Sequence, residues 1–289
     1  GVITDRRAGR IPTEQSRKLT EKLQKELPRI GDVELIFAPG MEHRFAVLMR
    51  FPGPLNPDAT VINDTDPQKE GEAPLHAVPL TKDAESVAEI ADRMIRMAHE
   101  ILKNEEKANY ILTRGFSGMP HIPTFQEAFG LNAIAIATYP MYRGLARIVG
   151  MDTPPLEGSV EDEIRFLRQN YNKYDFFFLH VKKVDSYGED GNFEGKAARI
   201  EEFDALLPQL LSLNPDVLII TGDHSTPALM KGHSWHPVPL LLSSPYVLGG
   251  LCASFSEREC VKGELGIFPA VNILPLALAN AGRLKKFGA

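Results

Sequence analysis

The chain has 289 residues, 43% hydrophobic and 24% charged, with a formal net charge of −6. That length supports a large core and two domains. The acidic balance offers no field to hold nucleic acid, no apolar run is long enough to span a bilayer, and Cys252 and Cys260 make neither a CxxC pair nor a disulfide framework, which fits a reducing cytoplasm.

The chain opens on GVITDRRAGR, with no initiator methionine and an arginine-dense segment at once. Residues 13–27 read as a helix with Thr13 as its N-cap. Residues 32–40 and 43–51 read as strands joined by a turn at Pro39-Gly40. Residues 51–80 are a long, proline-rich polar loop, and a loop of that length inside a domain is functional or mobile. In 83–108 the apolar residues Val87, Ile90, Ala91, Met94, Ile95, Ala98, Ile101 and Leu102 keep the i, i+3, i+4 rhythm of a helix. A strand over 109–115, a short helix over 122–130, a strand over 132–140 and a helix over 141–151 follow.

Residues 152–159, DTPPLEGS, read as an interdomain hinge, which makes 1–151 one domain and 160–289 the other. Beyond the hinge come a helix over 160–170, a buried strand over 174–181, a helix over 193–213, buried strands over 215–221 and 237–244, and a closing helix over 268–282. Continuous apolar strands alternating with helices argue an α/β fold with a mostly parallel sheet.

Open α/β sheets gather ligands beyond the C-terminal ends of their strands. The strand over 215–221 ends and delivers Asp223 and His224. The strand over 174–181 ends and delivers Asp185, Glu189 and Asp190, while His233 and His236 stand before the next strand. Carboxylate with neutral imidazole suits Zn²⁺ or Mn²⁺, and a two-metal site is a standard device for phosphoryl transfer. Single members of this set also have plain readings: His236 packs beside Trp235, and His180, inside an apolar run, reads as a satisfied core histidine. On the substrate side, Asp5, Arg6, Arg7 and Arg10 form the densest basic cluster in the chain. Arg114 follows a strand beside glycines whose N–H groups could approach an anion, and Arg143 and Arg147 lie one helical turn apart. Arginine forks match phosphate and carboxylate oxygens.

TGDHSTP with HSWHPVPLLL, FLHVKKVDSYGEDGNFEGK, DRRAGRI and the closing FSERECVKGELGIFP resemble the archaeal-type bisphosphoglycerate-independent phosphoglycerate mutases of the alkaline phosphatase superfamily. The resemblance runs along essentially the whole chain. It implies an alkaline-phosphatase-like domain in the C-terminal part and an inserted α/β substrate domain. It implies two divalent metal ions, manganese or zinc with magnesium possible, and no bisphosphoglycerate. It also implies interconversion of 3-phosphoglycerate and 2-phosphoglycerate through a phosphoserine. Carried over by position, Asp223 and His224 would bind one metal and Asp185 and His233 the other. Glu189 stands where the family more often has histidine, which shifts the preference toward Mn²⁺ or Mg²⁺.

The family's N-terminal strand with its metal-binding Asp-Gly, and the segment with the nucleophilic serine, have no counterpart here. The resemblance therefore implies a fragment, inactive alone, whose partners are a small phosphoglycerate and the missing N-terminal segment. Ser225 is read as a cap of the following turn. The family assigns the Asp-Arg-rich segment and a basic residue at Arg143 to the substrate. The rival readings are a metal-dependent phosphatase or phosphonate-processing hydrolase of the same superfamily, and a non-catalytic phosphate- or metal-binding module.

Overall fold

The computed structural model describes residues 1–284. The chain divides into two compact units, Gly1–His121 and Ile122–Ala289.

In the first unit, helix α1 (Thr13–Glu26) precedes a three-stranded antiparallel sheet in the order β1 (Arg29–Ile30), β2 (Val33–Pro39), β3 (Phe45–Arg50). β2 alternates as a half-buried strand must: Val33, Leu35 and Phe37 point inward and Glu34 outward. Helix α2 (Glu85–Leu102) supplies Met94, Ile95, Ala98 and Leu102 to a core shared with Leu23, Leu27, Leu35 and Phe37. Its N-terminal half packs Val87, Ala88 and Ala91 on Ala59, Ile62 and Ala77. The proline-rich segment is therefore pinned rather than loose: Thr65 within it is 0% exposed.

Two local expectations change. Thr13 lies inside α1, and instead of capping the helix its hydroxyl accepts the Glu42 N–H at 2.9 Å. Residues 109–115 form no ladder; Thr65 pairs with Thr113 there, its hydroxyl accepting the Thr113 N–H at 2.8 Å, and Ile111 is buried in the core.

The second unit holds α3 (Phe125–Phe129), β4 (Ala133–Ala137), α4 (Pro140–Ile148), α5 (Val160–Asn170) and β5 (Phe176–His180). It continues with α6 (Lys183–Glu189), α7 (Phe193–Leu211), β6 (Leu218–Thr221), β7 (Leu240–Ser243), α8 (Glu257–Cys260) and α9 (Ile273–Asn280). Reciprocal capping boxes start α3 at Thr124/Glu127 and α5 at Ser159/Asp162. β4 is buried throughout and pairs in parallel with β5, Ala133 opposite Phe176 and Ala137 opposite His180. The α/β class stands, with the parallel ladder in β4–β5; β6 and β7 run antiparallel, Thr221 opposite Leu240.

The units meet earlier in sequence than the expected hinge. Residues 122–151 belong with the second unit because β4 needs β5 beside it. Asp152 also clamps the other edge of β4: Ala135 N–H donates to Asp152 O at 2.8 Å and Asp152 N–H to Ala133 O at 3.0 Å. Residues 152–159 thus start as an added edge of the β4 ladder. Among the described residues no helix is long and apolar enough to cross a membrane.

Candidate metal centre

The second unit brings the predicted acids and imidazoles together by three devices. First, the segment after β5 is helix α6, so Asp185 and Glu189 stand one turn apart on one face. Second, β6 ends at Thr221 and places Asp223 and His224 just beyond it. Third, the chain doubles back through a Ser225–Ser234 bridge, with Ser234 N–H donating to Ser225 O at 2.9 Å, and this returns His233 to the same place. α6 can approach this loop because residue 188 is glycine: a Cβ there would lie 2.3 Å from Thr226 O.

The side chains form a row. Asp223 Oδ2 lies 3.6 Å from His224 Nε2. His224 Nδ1 lies 4.0 Å, and His233 Nε2 3.6 Å, from Asp185 Oδ1. Glu189 Oε1 closes the row 3.7 Å from His233 Nε2. The two imidazoles lie 3.9 Å apart, centroid to centroid. One ligand atom each from Asp185, His224 and His233 falls within 4.8 Å of the others. A carboxylate oxygen with two imidazole nitrogens is a donor set that fits Zn²⁺ or Mn²⁺. Asp223 and Glu189 extend that set at its two ends.

Neighbouring groups orient the row. Thr226 donates its hydroxyl proton to Asp185 Oδ1 at 2.8 Å and lies 3.0 Å from His224 Nδ1. A hydroxyl that gives its only proton to a carboxylate can only accept from the imidazole. His224 therefore donates from Nδ1, and Nε2 is the ring nitrogen that faces Asp223. Lys182 donates to Asp185 Oδ2, and Tyr142 from α4 donates to Asp223 Oδ2. Burial pushes the Asp185 carboxyl up, but the Lys182 ammonium and the Thr226 hydroxyl outweigh it and hold the group below the usual carboxylate range. Asp223 behaves alike: burial raises it, and Tyr142 and His224 bring it below. Tyr142 moves the other way, pushed well above the ordinary phenol range by burial and then by Asp223.

Other predicted residues stand elsewhere. His236 stays out of the row, its ring beside Trp235 at 5.0 Å and its Nδ1 2.8 Å from Ser234 Oγ. Asp190 is the C-cap of α6. Ser225 does not cap the following turn; it donates to His236 O at 3.2 Å. His180 is not satisfied: its buried Nδ1 has no partner among the described residues, its ring stacks on Tyr142 at 3.8 Å, and burial lowers its basicity.

The arginines divide between the units. Arg6 is already engaged in a fork with the buried Asp66, Nε to Oδ1 at 2.8 Å and Nη2 to Oδ2 at 2.5 Å. Asp5 accepts the N–H groups of Arg7 and Gly9, each at 2.7 Å, which shapes the turn that leaves Arg7 and Arg10 exposed. Arg114 stands 3.7 Å from both Asp64 and Asp66. The N–H groups expected to receive an anion there are taken: Gly115 donates to Asp64 at 2.8 Å and Gly118 to Thr60 at 3.2 Å. Arg143 and Arg147, expected in the substrate domain, lie on α4 in the unit that holds the acid–imidazole row. Arg147 donates to Thr153 Oγ1 at 2.9 Å, while the buried Nε of Arg143 has no partner among the described residues.

Sequence reasoning missed Lys182, Thr226 and Tyr142. Lys182 had a signal, three residues before Asp185 and so one turn away on a helix. Tyr142 had none, since 81 residues separate it from Asp223.

The profile of the metalloenzyme superfamily matches residues 69–280, and that of 2,3-bisphosphoglycerate-independent phosphoglycerate mutase matches residues 1–108. Curated relatives bearing the name "Probable 2,3-bisphosphoglycerate-independent phosphoglycerate mutase" include one from Aquifex aeolicus, 60% identical over 289 residues, and one from Thermotoga maritima, 51% identical over 288. The match takes in 100% of this chain and 71% of each relative. Among solved structures, a cofactor-independent phosphoglycerate mutase from Thermoplasma acidophilum superposes with a TM-score of 0.70 at 25% identity, over 98% of this chain and 73% of that one. A Pyrococcus horikoshii protein superposes with a TM-score of 0.78 at 27% identity, over 97% of this chain and 72% of that one. On these relationships the chain belongs to the 2,3-bisphosphoglycerate-independent phosphoglycerate mutase family, within the metalloenzyme superfamily.

Proposed function

We propose that this chain carries the metal-holding and substrate-holding parts of an isomerase that interconverts 3-phosphoglycerate and 2-phosphoglycerate through a phosphoserine. The observation that carries the reading is the convergence of Asp185, His224 and His233 in a chain of the mutase family. When bound, a pair of divalent cations lowers the pKa of a hydroxyl nucleophile and neutralises phosphoryl oxygens. Asp223 and His224 would hold one cation, and Asp185, His233 and Glu189 the other. The oxygen-rich second set favours Mn²⁺ or Mg²⁺ over Zn²⁺.

In the first unit Arg7, Arg10 and Arg114 keep donors for a carboxylate or phosphate, with Arg6 held against Asp66; in the second unit Arg143 keeps donors, with Arg147 held against Thr153. Holding the glycerate while its phosphate rests on serine is what separates a mutase from a hydrolase, because a hydrolase has no need to grip its dephosphorylated product. Neither aliphatic hydroxyl of the loop after β6 serves as the nucleophile: Thr226 is committed to Asp185, and Ser225 to His236 O. The reading assigns the nucleophilic serine to a segment outside this chain. Two observations support that: the curated relatives extend beyond the matched 71% of their length, and β5 and β6, both apolar, each pair along one edge only among the described residues. A cytoplasmic setting suits Cys252 and Cys260, which are both free thiols.

The test is a coupled assay on the full-length enzyme loaded with Mn²⁺. Supplied with 3-phosphoglycerate, it forms 2-phosphoglycerate without matching release of inorganic phosphate, and Asp185→Asn abolishes the conversion. Phosphate release with no isomer formed would overturn the reading in favour of a phosphatase.

A further inference from the structure

Asp223 is the one acid of the row whose second oxygen is pinned by a distant aromatic residue. Its Oδ1 accepts the His224 main-chain N–H at 3.1 Å, and its Oδ2 accepts the Tyr142 hydroxyl. Oδ2 is also the oxygen that faces His224 Nε2 at 3.6 Å. The phenol does not reach Asp223 by chance. Its ring stacks on His180 at 3.8 Å and on Phe178 at 6.4 Å, side chains projecting from β5. It lies 6.1 Å from Tyr139, the N-cap of its helix. A ring held against a strand has little freedom to turn, so its hydroxyl is fixed in space relative to the end of β6.

We propose that Tyr142 is a positioning residue for metal binding: its hydroxyl fixes the rotamer of Asp223 so that Oδ2 and His224 Nε2 are presented together to one divalent cation. This rests on the metal-centre reading above. A carboxylate held at one oxygen by a neighbouring N–H alone would still swing about its terminal torsion, which is broad for aspartate. The second hydrogen bond removes that freedom before the cation arrives, and each carboxylate oxygen keeps a lone pair for the cation. Hydrogen bonds of this outer kind are worth about 10–100-fold in metal affinity.

The experiment is a Mn²⁺ titration of this chain, read by the EPR signal of free Mn²⁺, on wild type, Tyr142→Phe, Asp223→Asn and the double variant. Phenylalanine keeps the stack on His180 and removes only the hydroxyl, and the melting temperature without metal checks that the fold is kept. Tyr142→Phe is expected to weaken Mn²⁺ binding about tenfold. In the Asp223→Asn background the same change is expected to add nothing, because its target carboxylate is gone. Wild-type affinity in Tyr142→Phe, with binding lost in Asp223→Asn, overturns the positioning role and leaves the metal centre standing. An equal tenfold loss in both backgrounds also overturns it, in favour of a general structural effect. If wild type binds no Mn²⁺ the metal-centre reading fails and the positioning role falls with it; if Asp223→Asn binds Mn²⁺ as wild type does, the assignment of a cation to Asp223 and His224 fails, and the positioning role with it.

Discussion

Glu163 shows how one residue can work against the fold that holds it. It sits in the first turn of α5, only 4% exposed, and its Oε1 has no hydrogen-bond partner among the described residues. Burial pushes its carboxyl up to about 7, opposed only by the Thr138 main-chain N–H. An acid whose folded pKa lies above its unfolded one binds more protons when folded, so folding becomes less favourable as pH rises between the two values. The window here runs from the ordinary glutamate pKa to about 7, and the full penalty is present above it. Glu163→Gln removes the ionisation. The variant is expected to be more stable than wild type by about 3 kcal/mol at pH 8, with the gap narrowing to under about 1 kcal/mol by pH 5. Urea melts at the two pH values measure this, and a gap that does not change with pH would sink the account. The acid also shows a limit of sequence reading. In VEDEIRF it reads as one more solvated charge in a helix's first turn, and only the packing of that turn beside β4 shows that it is buried.

At the scale of elements, the chemistry depends on how closely α6 approaches the loop after β6. Gly188 allows it, and Lys196 from α7 ties the same loop by donating to Thr226 O at 2.7 Å. Gly188→Ala must push α6 and Thr226 apart. It is expected to cost about 1–3 kcal/mol of stability, as overpacking does, and to weaken Mn²⁺ binding through the displaced Asp185. Chemical denaturation and metal titration check the two effects together; a variant with normal affinity would show that the approach of α6 does not set the site. Elements with a strong local signal were legible beforehand. α5 coincides with its predicted span because Ser159 and Asp162 form a capping box and Val160, Ile164 and Leu167 recur on one face. α2 is legible for the same periodic reason. What failed was set by partners distant in sequence. Residues 109–115 look like a strand, but the main chain and side chain of Thr65, bonded to Thr113, take the place of a ladder. Asp185 and Glu189 are placed by sequence only as following β5; that they lie on a helix, one turn apart, is shown by the structure. The row itself was legible because acids and imidazoles at strand ends are visible in sequence, whereas Tyr142 and Thr226 matter only through geometry.

At the scale of the whole molecule, the two units differ in how completely they bury their apolar residues. The clusters around Leu35 and Ala91 draw only on residues of the first unit, and those around Ile134 and Phe125 only on the second. The expected boundary at 151 was misplaced because DTPPLEGS has the composition of a linker, while the pairing of β4 with β5 and Asp152 is long-range. In the first unit, α2 buries Val87, Ala88, Ala91, Met94, Ile95, Ala98 and Leu102. In the second, the longer α7 buries Leu210 alone and leaves Phe193 68% and Ile200 50% exposed. Burial is the main favourable term in folding, so the second unit is the weaker one. Thermal unfolding of the chain is therefore expected in two steps, with amides of the second unit losing hydrogen-exchange protection first. The acid–imidazole row belongs wholly to that unit, and a ligand stabilises only the state that binds it. Mn²⁺ at a hundred times its Kd is expected to raise the lower transition by about 2.7 kcal/mol and to leave the upper one in place. A single cooperative transition, or a Mn²⁺ shift of the upper step, would contradict both the division of the core and the assignment of the cation to the second unit.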